Sequence, residues 1–112
     1  MEKNIEISLL FDFYGQLLKE GQQKCVTLYY NDDLSLSEIS DQLGITRQGV
    51  LDSIKRAEKR LYAFEEKLGL LERFQKTERG LYKIESLAQS LSDRYDKTTV
   101  QQIIETAKSL HE

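Results

Sequence analysis

Eight residues in one stretch of this 112-residue chain carry chemistry suited to a polyanion. Arg47 and Gln48 are the hydrogen-bonding pair: arginine takes a phosphate or the edge of guanine, and glutamine pairs with adenine. Gly49 permits close backbone approach, and Ser53 adds a hydroxyl. Lys55, Arg56, Lys59 and Arg60 follow on adjacent helical faces and could neutralise phosphates. The competing reading of these cations is a solvated helix face with pairing of the Lys55–Glu58 kind. Asp52 lies among them, and its carboxylate costs affinity for phosphate unless it accepts from a base amine or pairs with Lys55 or Arg56.

These residues need a scaffold that aims them, and the sequence just before them supplies one. Ser35 can cap a short helix whose third residue, Glu38, reaches back to the free backbone amide, and Leu36, Ile39 and Leu43 then share a face. Gly44 can take the positive φ of a sharp turn, Ile45 is placed to plug the angle between helices, and Thr46 can cap the next helix. The pattern is a helix-turn-helix, with Arg47 and Gln48 at the amino-terminal end of its second, reading helix. That helix is long. Val50, Ile54, Ala57, Leu61, Phe64 and Leu68 repeat at spacings of four and three, a heptad seam that runs to Gly69, a natural C-cap.

Upstream, Ile5, Leu9, Leu10, Phe13 and Leu17 predict an amphipathic helix from about residue 2 to 14, ended or bent at Tyr14-Gly15-Gln16. A second helix from about Lys19 to Tyr30 buries Cys25, Val26, Leu28 and Tyr29, and Asn31-Asp32-Asp33 is a turn. Downstream of Gly69, Leu71, Phe74, Thr77, Leu81, Ile84, Ala88 and Leu91 predict a helix folded back on the reading helix as a hairpin, with Gly80 able to kink or split it. Polar residues from Ser92 to Lys97 signal a break, with Tyr95 an anchor. Thr98 or Thr99 can cap a last helix striped by Val100, Ile103, Ile104, Ala107 and Leu110. The fold class expected is all-α, with residues 1–68 forming the helix-turn-helix part and 69–112 a helical extension of the same compact domain. The two apolar stripes of that extension have little mass to cover them, which points to a homodimer.

Composition sets the remaining bounds. Hydrophobic residues are 39% and charged residues 31%, there is no proline, and no apolar run approaches membrane-spanning length, so a folded, soluble, cytoplasmic protein is expected with no membrane partner. The formal net charge is −3, but it is unevenly spread: 3 basic and 8 acidic side chains over residues 1–44, 6 and 4 over 45–68, 7 and 7 over 69–112. The reading helix is the only basic segment, so bulk electrostatics alone does not bind nucleic acid here. One cysteine, Cys25, and one histidine, His111, provide no disulfide and no set of zinc ligands. No glycine-rich phosphate loop is present and His111 sits next to the terminus, so no catalytic residues, no metal and no cofactor are expected.

Phe11-Asp12-Phe13-Tyr14 with Leu17-Leu18, then Leu28 to Ile39 with its Asp32-Asp33 turn, then Thr46-Arg47-Gln48-Gly49-Val50, Asp52 and Ile54-Lys55-Arg56, resemble the YlxM family of helix-turn-helix proteins. The likeness is dense from about residue 5 to 68. More distantly, residues from about Leu18 to Leu61 resemble the promoter-reading fourth region of sigma factors. The resemblance implies a bacterial accessory or regulator of the signal recognition particle, with the particle's RNA or its GTPase as partners. The sigma-like module implies nucleic-acid binding, and a DNA-binding transcriptional regulator is the alternative. A protein-interaction adaptor is a third class.

Overall fold

The computed structural model describes residues 2–91 and 95–111. Among these there are six α-helices and no strand: α1 (Lys3–Tyr14), α2 (Glu20–Val26), α3 (Leu36–Leu43), α4 (Arg47–Leu68), α5 (Leu70–Leu91) and α6 (Lys97–Ser109). Two compact units result, Met1–Leu71 and Glu72–Glu112.

The first unit is organised on α4. Val50, Ile54, Ala57 and Leu61 are all buried, and they meet two sets of partners. Ala57 and Leu61 pack with Ile7, Leu10 and Tyr14 of α1, with Leu18 and Val26, and with Leu71. Val50 and Ile54 pack with Cys25 and Ile39. The seam fades at its end, for Leu68 is 56% exposed.

The inward face of α1 differs from the stripe expected. Ile7, Leu10 and Tyr14 are buried, whereas Ile5, Phe13 and Leu17 are exposed. Seven of the ten residues from Ile5 to Tyr14 are apolar or aromatic, so periodicity alone cannot choose a face. A 3₁₀ turn over Gly15–Leu17 then turns Leu18, rather than Leu17, into the core.

The tyrosines after α2 are likewise exchanged. Thr27–Asn31 forms a π turn, in which the Asp32 amide donates to the Thr27 carbonyl at 3.1 Å. The wider turn inserts a residue into the helical register. Tyr30 therefore packs against the core, while Tyr29 is left exposed.

The second unit contains the rest of α5 and all of α6. Helix α5 is unbroken at Gly80. A Cβ built there would lie 2.5 Å from Leu110 Cδ2, so the glycine marks where Leu110, at the end of α6, comes close to α5. The cap of α6 is Asp96, not Thr98 or Thr99: its Oδ1 accepts from the Thr98 amide at 2.9 Å and its Oδ2 from the Thr99 hydroxyl at 3.1 Å. Tyr95 is 78% exposed and so is not an anchor within the described residues. The expected break begins at Ser92, and Ser92 to Arg94 lie outside the described residues.

Candidate nucleic-acid interface

The turn that presents the reading helix is closed by local hydrogen bonds. Ser35 Oγ accepts from the Glu38 amide, and the Glu38 carboxylate accepts from the Ser35 amide, both at 3.1 Å. The bond from the Ser35 backbone amide to its carboxylate, and then the Ser35 hydroxyl beside it, hold Glu38 below its ordinary pKa. Gly44 closes α3 in the left-handed region at φ 69°, a conformation in which a Cβ meets the following carbonyl. Ser40 donates its hydroxyl to the Ile45 carbonyl, and Thr46 Oγ1 accepts from the Gly49 amide at 2.9 Å. Ile45 does not plug the interhelical angle. It is 43% exposed, and the fully buried pair Ile39 and Val50 fills that space.

With 3.6 residues per turn, the face of α4 opposite Val50, Ile54, Ala57 and Leu61 carries Gln48, Asp52, Lys55 and Lys59, with Arg56 beside them. All five are exposed. Arg47 sits at the first turn and donates through Nη1 to Ser37 Oγ of α3 at 3.1 Å, a weak contact that leaves most of its donors unused. Gln48 Nε2 donates to Asp52 Oδ1 at 2.9 Å. The Asp52 partner is thus Gln48, one turn before it, and not Lys55 or Arg56.

Three of the expected cations remain on this face because the nearby carboxylate is used elsewhere. Glu58 accepts from the Tyr30 hydroxyl and pairs with Lys3 at 3.1 Å. It does not pair with Lys55. Among the described residues no ion pair involves Lys55, Arg56 or Lys59. Arg60 is different: it is half-buried, with its guanidinium 5.5 Å from the centroid of the Phe64 ring. Gly49 and Ser53 are half-buried and line a cavity on the α2 side of the helix. The interface predicted from sequence is therefore split into an outward set, Gln48, Lys55, Arg56 and Lys59, a bridge to α3, Arg47, and a flank, Gly49, Ser53 and Arg60.

The helix is tied along its other flank. Tyr62 donates to Glu6 of α1, and this bond, with partial burial, raises the tyrosine to about 12. Burial and the Glu58 bond also push Tyr30 up. At the far end the Tyr14 hydroxyl donates to Glu65 Oε1 at 2.7 Å and accepts from the Leu70 amide at 3.0 Å, while Glu65 Oε1 accepts from the Leu71 amide at 3.0 Å. Those contacts satisfy the first free amides of α5. Gly69, at φ 63°, provides the turn between the helices.

Two residues at this site had no signal in the sequence. Lys19 and Gln22, at the start of α2, line the same cavity as Gly49, Asp52, Ser53 and Arg56. Only the packing of α2 on α4 brings them there. Among the described residues no group of three or more His, Cys, Asp or Glu could hold a metal ion, and no helix is long and apolar enough to cross a membrane.

Six helices, a capped short helix, a left-handed glycine turn and a long second helix with a polar outer face define a helix-turn-helix protein of the all-α class. The family model described as "Putative helix-turn-helix protein, YlxM / p13 like" matches residues 1–107, and the chain belongs to that family, UPF0122. A UPF0122 protein of Desulforamulus reducens is 41% identical over 110 residues, covering 98% of this chain and 91% of the relative. UPF0122 proteins of Bacillus cereus strain AH187 and Bacillus anthracis strain A0248 are each 39% identical over 110 residues, covering 98% of both chains.

Proposed function

We propose that the protein is a non-catalytic, nucleic-acid-binding regulator that acts with the signal recognition particle, contacting the particle's RNA or its GTPase. The observation that carries the nucleic-acid part is the outer face of α4, where Lys55, Arg56 and Lys59 have no ion pair among the described residues and stand beyond Arg47 and Gln48 at a capped helix start. That start is the end of a reading helix that enters a groove. The particle as the setting is what the resemblance to the YlxM family implies, and the family's description as helix-turn-helix proteins supports the nucleic-acid part. The balance of charge fits an assisted contact: the whole chain is at −3, so a handful of cations must do what a basic domain does by bulk attraction. A cytoplasmic location follows from such partners.

A second copy of the chain completes the molecule in this reading. Beyond Leu71 none of the described residues is buried, although Leu81 and Ile104 are 50% and 41% exposed on the apolar faces of α5 and α6. Residues 69–112 carry 7 basic and 7 acidic side chains, so two copies meet there without net repulsion.

The test is binding of the purified chain to particle RNA, to the GTPase and to mixed-sequence duplex DNA across a salt series. Binding to the RNA or the GTPase that weakens with Arg47→Ala and with Lys55→Ala/Arg56→Ala supports the reading. Tight, sequence-selective duplex binding with no affinity for either particle component would make it a transcriptional regulator instead.

A further inference from the structure

The reading helix is flanked on one side by α3, through Arg47 and Ser37, and on the other by the first turn of α2. The second flank borders an open, shallow cavity of about 310 Å³ lined by Lys19, Gln22, Gly49, Asp52, Ser53 and Arg56. Its chemistry is uneven in a useful way. Lys19 and Arg56 are exposed cations with no ion pair among the described residues, and Ser53 adds a hydroxyl. Gly49 contributes no side chain. Asp52 is the one carboxylate, and it already accepts from Gln48.

Gln22 is a buried polar side chain, only 9% exposed, and its Oε1 is enclosed without a hydrogen-bond partner among the described residues. An enclosed, unpaired amide oxygen is costly, and buried polar groups are nearly always satisfied. The oxygen accepts and cannot hold an anion; the amino end is the part of this amide that donates.

We propose that this cavity seats a backbone phosphate of the nucleic acid whose groove α4 enters, with Lys19 and Arg56 supplying charge and Ser53 and Gln22 supplying neutral donors. The inference rests on the nucleic-acid reading above and adds a contact to it. A groove has a strand on each side, so a helix that lies in it needs a phosphate contact on each flank to fix its register. Arg47 at the α3 flank meets one strand. The Lys19–Arg56 seat meets the other, and it does so without reading a base.

The experiment measures the affinity of the full chain for a labelled RNA hairpin and a labelled DNA duplex across a salt series, with Lys19→Ala, Lys19→Arg, Gln22→Glu and Arg47→Ala. Lys19 is exposed and its side chain makes no cap bond, so its variants fold. Lys19→Ala is expected to weaken binding about three- to tenfold on every sequence that wild type binds and to lower the salt slope by about one. Lys19→Arg restores both, and Gln22→Glu, checked for native helicity, weakens binding further. One methylphosphonate placed at the contacted phosphate weakens wild type but adds nothing to Lys19→Ala. Excess inorganic phosphate at matched ionic strength does not compete, which separates a strand from a free anion. If Lys19→Ala leaves affinity and slope unchanged while Arg47→Ala weakens binding, the seat is wrong and the nucleic-acid reading stands. If wild type binds neither RNA nor DNA, both fall.

Discussion

Gln48 and Asp52 are joined by a 2.9 Å hydrogen bond across one turn of α4, in the middle of the face that the helix-turn-helix presents. One N–H of the side chain proposed to read bases is therefore occupied, and the carboxylate it holds remains a negative charge among Lys55, Arg56 and Lys59. A unit charge about 7 Å from a phosphate in water costs on the order of 0.6 kcal/mol. Asp52→Ala is accordingly expected to tighten non-specific binding about threefold and to reduce discrimination between sequences, because Gln48 loses its fixed partner. Equilibrium titration against several unrelated sequences measures both effects.

The two helix starts should be worth measurable stability. Thr46→Ala removes the bond from the Gly49 amide and is expected to cost about 1 kcal/mol in urea unfolding, within the usual range for such caps. Ser35→Ala also frees Glu38. Because the folded carboxyl is held below its ordinary pKa of about 4.3, its stabilisation is present at neutral pH and is lost as pH falls through the folded value. Unfolding midpoints of Glu38→Gln should thus depend less on pH below about 5 than those of wild type.

The opposite pH dependence is expected from the tyrosines. Tyr14, Tyr30 and Tyr62 are all raised, by burial and by their bonds to Glu65, Glu58 and Glu6. Below the unfolded tyrosine pKa of about 10 the stabilisation is complete, and it is lost as pH rises toward the folded values. Thermal melts should be flat from about pH 6 to about pH 10 and then fall. Tyr30→Phe should weaken that fall and cost about 1 kcal/mol at neutral pH, since one Glu58 partner is gone.

How far these arrangements could be read beforehand depended on how local their signals are. Ser35 with Glu38, Gly44, Thr46 and Gly69 act within four residues of themselves, and each stands where its type demanded. The heptad from Val50 to Leu61 was equally clear, because polar residues separate its members. Helix α1 offered no such contrast, so the buried face could not be told from the exposed one. The exchange of Tyr29 for Tyr30 came from a π turn that leaves no mark in hydrophobic spacing. Asp96 displaced two threonines as a cap by standing one residue before the helix. At the interface, the cations of α4 were visible as a basic run, whereas the commitment of Glu58 to Lys3 and Tyr30 is tertiary. The presence of Lys19 beside Arg56 is tertiary as well.

Association should be separable from binding. Sedimentation equilibrium at tens of micromolar is expected to give a dimer, and Ile104→Glu, on the exposed stripe of α6, a monomer with unchanged core stability in the first unit. A monomeric wild type at that concentration would remove the second copy from the account.

The central claim is that the outward face of α4 contacts nucleic acid, and the salt slope of binding tests it most directly. The triple variant Lys55→Ala/Arg56→Ala/Lys59→Ala should lose at least tenfold in affinity at about 0.1 M salt and reduce the slope of log K against log salt by about two to three. Native helicity and an unchanged melt would accompany that loss. An affinity and slope equal to those of wild type would contradict it.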